Sequence, residues 1–497
     1  MNRLNNSQPP NSVEQPKYAR DQLKSRIVHL GFGAFHRAHQ GLLTNRVLQQ
    51  FGGDWGYCEV NLFGGEQLIE ALRQQDHLYS VLEKGATENK AFVIGAIHES
   101  LHSLLDGIDT VLAKMAEPQV SIVSLTITEK GYCVLPGGAG LDFNNPMIKK
   151  DLDNPSQPIT APGIIVEALR LRKERHIAPF TVLSCDNIPE NGHVVKQAVI
   201  QFAEKVNAEL ANWIKENVTF PSTMVDRIVP AATDETLAEI AKTLGVNDPC
   251  GIACEPFIQW VIEDNFTAGR PDWDKVGAQF VQDVVPFEEM KLRMLNGSHS
   301  FLAYLGYLAG YQHINDCMMD NNYKVAARTL MVKEQAPTLS VTGTDLNEYA
   351  DMLIDRYSNP SLKHRTWQIA MDGTQKLPQR MLDSVRWHIA HNSDFTYLAL
   401  GIAGWMRYVG GIDDQKQPIE VVDPMVKEVQ ALCASSIDGV ERVNALLSLE
   451  ALFGNKASGK ELVNNSLFIE KVTRSYLSLQ AIGAKETVAK LVSQGEC

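Results

Sequence analysis

The feature that most limits the fold is a short apolar, β-branched run that ends in a glycine turn and leads into a helix-like stretch. Residues 26–30 form the run, Gly31 and Gly33 form the turn, and residues 42–48 carry apolar side chains at helical spacing. A strand, a glycine turn and a helix in this order are typical of the first unit of a parallel, dinucleotide-binding sheet. The third position of the glycine pattern is His36, and an ordinary strand-to-helix turn is the alternative interpretation.

Strand-like and helix-like segments continue to alternate beyond this turn. The strand candidates are Tyr57–Leu62, Ala91–Ile97, Val120–Ile127 and Phe180–Cys185, and the helix candidates are residues 66–75, 104–116 and 163–175. This alternation predicts an α/β fold with a parallel, doubly wound sheet. Residues 1–24 are predicted as a loose arm, and the Pro-, Gly- and Asn-rich residues 135–162 as a long surface excursion.

Past about residue 285 the sequence changes to long segments of helical period with few β-branched runs. These segments are roughly 289–312, 321–335, 345–357, 379–391, 396–408, 424–436, 439–453 and 468–493. The chain of 497 residues exceeds what one core usually supports. We therefore predict a dinucleotide-binding domain over 1–285 and a mostly α-helical domain, carrying substrate and catalytic residues, over 286–497.

Composition excludes several classes of partner. The 59 acidic side chains exceed the 46 Lys and Arg side chains and give a net charge of −13, which repels nucleic acid and anionic lipid. The longest apolar runs are shorter than a bilayer span, and no charged-then-apolar leader is recognised, so cytoplasmic residence is expected. Eight scattered cysteines indicate reduced thiols and neither a disulfide framework nor a zinc knuckle.

An acidic side chain after the second strand would accept hydrogen bonds from a ribose. The candidates are Glu59 inside the strand and Glu66 just past Gly64 and Gly65, and Glu66 is preferred. Its spacing from Gly31 is longer than the usual ~20 residues, which requires an extended first helix or loop. A carboxylate there repels a 2′-phosphate, so NAD is predicted over NADP.

The densest polar group on a helix-like segment lies at residues 288–300. On an α-helix Asn296 and His299 are neighbours, and Lys291 lies about 80° around the axis from His299, so all three can face one cleft. A buried lysine whose pKa has fallen can accept an alcohol proton, while the amide and imidazole hold oxygens. A solvated amphipathic helix is the alternative interpretation. Asn187, after an apolar strand, could supply a second amide or close an Asx turn.

Other dehydrogenase and metal sites can be tested by their motifs. No Tyr is followed by Lys at the fourth position, as short-chain dehydrogenases require, and no Cys and His cluster suits a zinc dehydrogenase. The segment from His98 to His102 matches H-E-x-x-H, but the preceding apolar run predicts a strand, on which the two imidazoles would not share a helical face. No metal is predicted.

Five motifs in order resemble the long-chain mannitol dehydrogenase family over nearly the whole chain. They are Gly31–His39, Ser124–Tyr132, Ser184–Asn187, Met224–Arg227 and Lys291–His299. Within the family, Thr366–Gly373 and Lys376–Arg380 resemble the branch that reduces fructuronate. The resemblance implies a Rossmann-type domain, a helical domain, a cleft between them and no metal.

The resemblance also implies roles for individual residues. Lys291 would be the general base, Asn187 and Asn296 the amide pair on the reacting oxygen, His299 a substrate donor, and Glu288 a proton path. The sugar site would include Asp226, Lys376 and Gln368. The expected cofactor-binding residues are Ile27, Val28, His29, Leu30, Gly31, Phe32, Gly33, Ala34, Phe35, His36, Arg37, Ala38, Glu66, Thr126 and Glu129.

Two departures from the polyol-oxidising members indicate a different substrate. As the resemblance implies, those members carry arginine at the Gln368 position and an apolar aromatic at the Arg380 position. A guanidinium at Arg380, with Arg365 or Lys376, would read the carboxylate of a sugar acid. We therefore expect NAD-dependent interconversion of D-mannonate and D-fructuronate by a monomer or weak homo-oligomer. The alternatives are a polyol dehydrogenase, a reductase for another hexonate, and a nucleotide-binding sensor without turnover.

Overall fold

The computed structural model describes residues 3–6, 8–361, 363–454 and 461–495. The chain divides into two compact units, Met1–Val285 and Pro286–Cys497. The first unit is built on β-sheets and the second is almost entirely helical. The prediction of an α/β domain followed by a mostly helical domain is confirmed.

A fully parallel five-stranded sheet forms the centre of the first unit. The strands of this unit, in chain order, are β1 (Val13–Glu14), β2 (Lys24–Leu30), β3 (Trp55–Asn61), β4 (Tyr79–Lys84), β5 (Asn89–Ile94), β6 (Ile97–His102), β7 (Ile122–Leu125), β8 (Thr181–Ser184), β9 (Thr223–Asp226), β10 (Ile252–Cys254), β11 (Gln259–Glu263) and β12 (Gln279–Val281). The central sheet has the order β6-β3-β2-β7-β8. Because the order reverses between β2 and β7, a ligand crevice is expected at the carboxyl ends of these two strands.

Helices cover both faces of the central sheet. They are Ala34–Ala38, Gln40–Phe51, Glu66–Arg73, Ser103–Asp106, Ile108–Met115, Thr128–Gly131, Pro146–Asp153, Ala161–Glu174, Asn191–Val206 and Ala208–Asn217. A further helix, Asp234–Leu244, packs instead against β10. Successive residues of β2 point to opposite faces, so that Ile27 and Val28 enter two different apolar clusters. Burial on both faces accounts for the near-continuous apolar sequence of this strand.

The remaining strands form two smaller sheets, ordered β1-β5-β4-β10 and β12-β11-β9. The prediction of one strand over Ala91–Ile97 is wrong, because β5 pairs antiparallel with β4 whereas β6 joins the parallel sheet. Gly95 lies at the crossing, where an added Cβ would come within 2.8 Å of Pro16 Cγ. The glycine therefore lets the chain pass beneath the N-terminal segment and change sheets.

Two segments that the sequence predicts as loose are packed. Within residues 1–24, Val13 pairs with Ala91 in parallel, and Leu4, Val13 and Leu23 are at most 4% exposed. Within residues 135–162 the helix Pro146–Asp153 buries Ile148, and the buried Asp151 carboxylate accepts hydrogen bonds from Thr160. Proline and glycine content identified the turns but gave no measure of the burial between them.

The second unit is an array of helices, three of which are π-helical segments. The α-helices are Val285–Met290, whose first residue closes the first unit, and Ser298–Leu308, Ile314–Met319, Asn321–Thr329, Leu346–Tyr357, Thr366–Ala370, Gly373–Leu377, Asp383–His391, Thr396–Tyr408, Val426–Ser435, Val440–Leu447, Glu450–Phe453 and Ser466–Gly495. The π segments are Lys291–Gly297, Leu330–Gln335 and Pro378–Leu382. The long predicted helical segments correspond to these elements, whereas the short helices after residues 313, 365 and 372 were missed. No helix of the described residues has both the length and the apolar character to cross a membrane.

Candidate active site

A cleft of about 460 Å³ opens at the carboxyl ends of β2, β3 and β7, where the strand order reverses. Its volume lies within the usual range for small-molecule sites, about 300–1,000 Å³. The lining residues are Gly31, Phe32, Gly33, Asn61, Leu62, Phe63, Gly64, Gly65, Leu68, Thr126, Ile127, Thr128, Gly131 and Ala161. Four of the predicted cofactor residues, Gly31, Phe32, Gly33 and Thr126, therefore line one cleft.

The glycine turn after β2 packs directly against the end of β7. Gly31 has φ of +108°, and a Cβ there would lie 2.2 Å from the backbone oxygen of Thr126. Only glycine fits this conformation and this contact. The Thr126 hydroxyl donates to the Gly31 oxygen at 2.9 Å, and the Phe32 amide donates to Asn61 Oδ1 at 2.8 Å. The turn is thus held from both neighbouring strands.

Asp186 positions the opposite wall of the cleft. Its carboxylate accepts hydrogen bonds from the amides of Ile127 and Thr128 at 3.0 and 2.8 Å, and from the Tyr132 hydroxyl at 2.6 Å. Thr128 has φ of +65°, a conformation that the two amide contacts stabilise. Desolvation raises the pKa of Asp186. The motif Ser184–Asn187 thus contains a wall-positioning carboxylate that sequence analysis did not single out.

A buried polar stack lies beneath the glycine turn. The rings of His29 and His36 stack at 3.5 Å, and His36 Nε2 lies 2.8 Å from Glu59 Oε1. His29 also contacts the hydroxyls of Ser124 and Thr126 at 2.7 and 2.9 Å. Burial raises the pKa of Glu59 to about 7 and lowers that of His36 to about 3. Neutral forms of all three groups are favoured, because no charge at this depth is fully solvated.

The same three residues bring two imidazoles and a carboxylate together, which raises the question of a metal ion. The two rings are nearly parallel, with an interplanar angle of 15°. Imidazole nitrogens coordinate in the plane of their ring, so stacked rings do not direct their lone pairs to one point. His98 and His102, the ends of the H-E-x-x-H pattern, lie on β6, where an interval of four residues spans about 13 Å. Neither group has the geometry of a zinc site.

The other predicted cofactor residues have different surroundings. The side chains of Ile27, Val28, His29 and Leu30 are buried in β2, and those of His36, Arg37 and Ala38 are buried in the first helix. Ala34, Phe35 and Glu66 are half-buried, and Glu129 is exposed. Glu66 begins the helix Glu66–Arg73 but is not among the lining residues, whereas Asn61, which sequence analysis missed, lines the cleft. The sequence signal that could have identified Asn61 is its position at the end of β3.

Lys291 begins a π-helical segment rather than a regular α-helix. Because π-helical hydrogen bonds join residues five apart, Lys291 and Asn296 lie on the same face. In an α-helix they would be about 140° apart. The predicted α-helical spacing of this segment is therefore wrong, and the observed geometry brings the candidate base and amide closer in orientation. Lys291 and Glu288, one turn earlier, are each 8% exposed.

His299 lies in the α-helix that follows the π segment and is buried. Its ring is 4.5 Å from that of Tyr357 and 5.3 Å from that of His364. Desolvation, followed by the positive charge of His364, Arg356 and Arg380, holds the pKa of His299 well below its usual 6.5. A neutral imidazole has one donor and one acceptor nitrogen, which suits the binding of a hydroxyl.

Arg380 lies beside the helix that carries Lys291. Its Nη1 donates to the Asn296 carbonyl oxygen at 3.4 Å and to Ser300 Oγ at 3.1 Å. Burial lowers the pKa of Arg380, and its Nε has no hydrogen-bond partner. Among the residues that the structure describes, no carboxylate forms an ion pair with this guanidinium. A cation in this state has unused capacity for an anionic ligand.

The remaining predicted substrate residues and the predicted catalytic Asn187 differ in their exposure. Lys376 is half-buried, and its ammonium group donates to the carbonyl oxygens of Met371 at 2.6 Å and Ile369 at 3.3 Å. Arg365 and Gln368 are exposed. In the first unit Asn187 follows β8 and is exposed, and Asp226 ends β9 and is 6% exposed.

Comparison with known proteins assigns the family. The model of the mannitol dehydrogenase Rossmann domain matches residues 25–275, and that of the mannitol dehydrogenase C-terminal domain matches residues 283–480. The chain belongs to the mannitol dehydrogenase family and is an oxidoreductase. Both the family resemblance and the expectation of an enzyme are confirmed.

The chain is similar over nearly its whole length to several known oxidoreductases. D-mannonate oxidoreductase of Escherichia coli K12 is 59% identical, with 96% of this chain and 98% of that protein covered. The uncharacterized oxidoreductase YdfI of the same organism is 61% identical, with 96% and 97% covered. In structure, Pseudomonas fluorescens mannitol 2-dehydrogenase, solved as a ternary complex with NAD and D-mannitol, is 37% identical, with a TM-score of 0.79 and 98% of each chain covered. A substrate-free D-sorbitol dehydrogenase is 34% identical, with a TM-score of 0.90 and 97% and 98% covered.

Replacing the buried Glu59 with glutamine is expected to change how stability depends on pH. The pKa of Glu59 is raised from 4.5 to about 7, so the stability that its protonated form contributes is complete below 4.5 and is lost as pH rises through 7. Glu59→Gln mimics the protonated acid. Its denaturation temperature should gain about 2–5 °C relative to the unaltered protein between pH 5 and pH 8. The exposed Glu70 supplies the matched control, Glu70→Gln. A temperature difference that does not vary with pH would contradict the neutral buried stack.

Proposed function

We propose that this protein interconverts D-mannonate and D-fructuronate with NAD as hydride carrier and Lys291 as general base. The observation that carries the proposal is the half-buried Arg380, whose guanidinium has no carboxylate partner among the described residues and lies beside the helix of Lys291 and Asn296. A sugar acid supplies the missing carboxylate, whereas a neutral polyol does not. The 59% identity to D-mannonate oxidoreductase independently supports a sugar acid substrate.

The cleft at the end of the central sheet fits a dinucleotide. Gly31 lets the turn pack directly against the end of β7, and the exposed Gly33 allows the backbone to approach a pyrophosphate. The first-turn amides of the following helix are available to phosphate oxygens. Asn61 is placed to bind a ribose hydroxyl from the end of β3, and Glu66 remains the predicted carboxylate against a 2′-phosphate. When bound, the nicotinamide accepts the hydride of the carbinol carbon.

In this proposal Lys291 removes the proton of the reacting hydroxyl. In the oxidative direction its neutral amine takes the hydroxyl proton as the carbon loses its hydride, and the C–O bond becomes a carbonyl. Asn296, on the same face of the π segment, donates to the oxygen as negative charge develops. His299 donates to a neighbouring hydroxyl, and Glu288 passes the proton to solvent. Asn187 and Asp226 keep the roles of second amide and sugar contact that the family resemblance gives them.

A polyol dehydrogenase is the second candidate, because one relative of known structure is a mannitol 2-dehydrogenase in complex with D-mannitol. Lys291, Asn296 and His299 would serve a polyol equally well. The two candidates differ at the far end of the substrate, where Arg380 would face a neutral hydroxymethyl group. A panel of hexonates and polyols assayed with NAD and NADP separates them and also tests the other hexonates.

Removing the amine of Lys291 should abolish proton transfer without affecting cofactor binding. We expect Lys291→Met to lower kcat for mannonate oxidation by about 10²–10⁴-fold, the usual contribution of a general base. The alkaline-activated limb of the kcat/KM pH profile should disappear, while NADH affinity stays within about twofold of its original value. The exposed Lys485→Met on the last helix is the control. Retention of kcat in Lys291→Met would assign the base elsewhere.

A methyl group at Gly33 should block the cofactor while preserving the fold. The nearest atom to a Cβ at Gly33 is the Gly31 oxygen at 3.8 Å, and φ is −85°, so alanine is tolerated there. We expect Gly33→Ala to keep its denaturation temperature and to bind NADH at least about tenfold more weakly, because the methyl occupies the approach of the pyrophosphate. Fluorescence titration with NADH measures the affinity. Unchanged binding would place the cofactor outside this cleft.

Truncating Arg380 should discriminate between acid and neutral substrates. We expect Arg380→Ala to lower kcat/KM for mannonate by about 100-fold, mainly through KM, because a charge-assisted contact is lost. Activity on a neutral hexitol should not fall in parallel. Arg474→Ala, whose side chain is 73% exposed on the last helix, is the matched control. An unchanged KM for mannonate would remove Arg380 from the substrate site.

A further inference from the structure

The three π-helical segments of the second unit meet at one buried point. A Cβ placed on Gly297, the last residue of the first segment, would lie 2.7 Å from the Arg380 carbonyl oxygen and 2.8 Å from Gln335 Nε2. Gln335 ends the second segment, and Arg380 lies in the middle of the third. The Arg380 backbone and the Gln335 side chain approach Gly297 this closely because Gly297 has no side chain.

The Gln335 side chain connects these segments through both ends of its amide. It is fully buried, its Nε2 donates to the Arg380 carbonyl oxygen at 2.9 Å, and its Oε1 accepts from Ser384 Oγ at 2.5 Å. The wider turn of a π-helix leaves carbonyl oxygens without the regular α-helical partner. Gln335 supplies a side-chain donor to the Arg380 carbonyl, and the Ser384 hydroxyl fixes which way the amide points.

The position of the Arg380 backbone determines what its side chain can reach. The guanidinium donates to the Asn296 carbonyl oxygen and to Ser300 Oγ, which lie on the helix carrying Lys291. Both contacts are at 3.1 Å or longer, so a small shift of the Arg380 backbone would break them. Gln335 is the side chain whose hydrogen bond to this backbone opposes such a shift.

We infer that Gln335 is a positioning residue that sets the substrate preference of this enzyme for a carboxylate, by fixing the backbone of Arg380 against Gly297. Gln335 does not touch substrate, and it acts through the placement of the guanidinium. The inference rests on the proposed role of Arg380 and extends it to a residue more than forty positions earlier in the chain. Ser384 contributes to this positioning because its hydroxyl orients the Gln335 amide.

The test compares substitution of Gln335 with substitution of a glutamine elsewhere. Gln335→Met keeps the size of the side chain and removes its donor. We expect KM for mannonate to rise about tenfold with kcat within about twofold, because a displaced guanidinium weakens binding but leaves the base in place. KM for a neutral hexitol and affinity for NADH should not change. Gln430→Met, at an exposed position of the helix Val426–Ser435, is the control.

Ser384→Ala is the second variant, needed if Gln335→Met does not fold. It removes the hydroxyl that donates to Gln335 Oε1 and keeps the Gln335 Nε2 donor to the Arg380 carbonyl oxygen. We therefore expect a selective rise in KM for mannonate of about threefold, which is smaller than the rise in Gln335→Met. A rise in KM for mannonate and the neutral hexitol alike, or a fall in kcat for both, would show that Gln335 supports only general packing and would overturn the inference.

A double-mutant cycle separates this inference from the proposed function. In the Arg380→Ala background, Gln335→Met should cause no further rise in KM for mannonate, because the group that it positions is gone. If Arg380→Ala alone leaves KM unchanged, the proposed reading of the carboxylate fails. If Arg380→Ala raises KM but Gln335→Met does not, only the inference about Gln335 fails. Equal effects of Gln335→Met in both backgrounds would also overturn it.

Discussion

The close contact between Gly31 and the Thr126 backbone is the constraint on which the cleft at the end of the central sheet depends. The two lie at the ends of β2 and β7, and the strand order reverses between these strands. Because Gly31 has no Cβ, the two strand ends can approach each other. The His29 ring beneath the turn contacts the Thr126 hydroxyl and so links the buried residues of β2 to the lining of the cleft. Asp186 then fixes the loop after β7. The cleft is therefore shaped by the backbone contact at Gly31 together with the side-chain hydrogen bonds that hold the turn and the loop.

In the second unit, several polar side chains lie on one side of a largely buried helix. An α-helix would put Lys291 and Asn296 on different sides, and the π segment aligns them. The wider turn weakens regular hydrogen bonding, and side chains from neighbouring helices compensate. The Tyr357 hydroxyl donates to the Leu295 oxygen at 2.9 Å, as Gln335 does to Arg380. The irregular segments are thus stabilised by the packing around them.

Sequence analysis predicted the strand, glycine turn and helix, the helical second half and the residues that carry the family motifs, because these depend on local periodicity and on single residue types. It did not predict that β5 and β6 belong to different sheets, since Gly95 gives no sign of the Pro16 contact that requires it. The π segment was missed because its residues have ordinary helical character. Sequence analysis missed Asp186, Asn61 and Gln335 because each acts through hydrogen bonds to backbone groups that are distant in the sequence.

The proposed preference for a sugar acid over a neutral substrate rests on the surroundings of Arg380. Burial disfavours a guanidinium whose donors are incompletely satisfied, and its contacts with Asn296 and Ser300 offer only neutral oxygens. A bound carboxylate would compensate that cost, whereas a hydroxymethyl group would shield the guanidinium further from water without supplying a negative charge. A site built around a polar partner rejects the analogue that lacks it more strongly than an apolar pocket rejects an extra group. The proposed selection of the acid would therefore follow from a cost that is present in the protein before substrate binds.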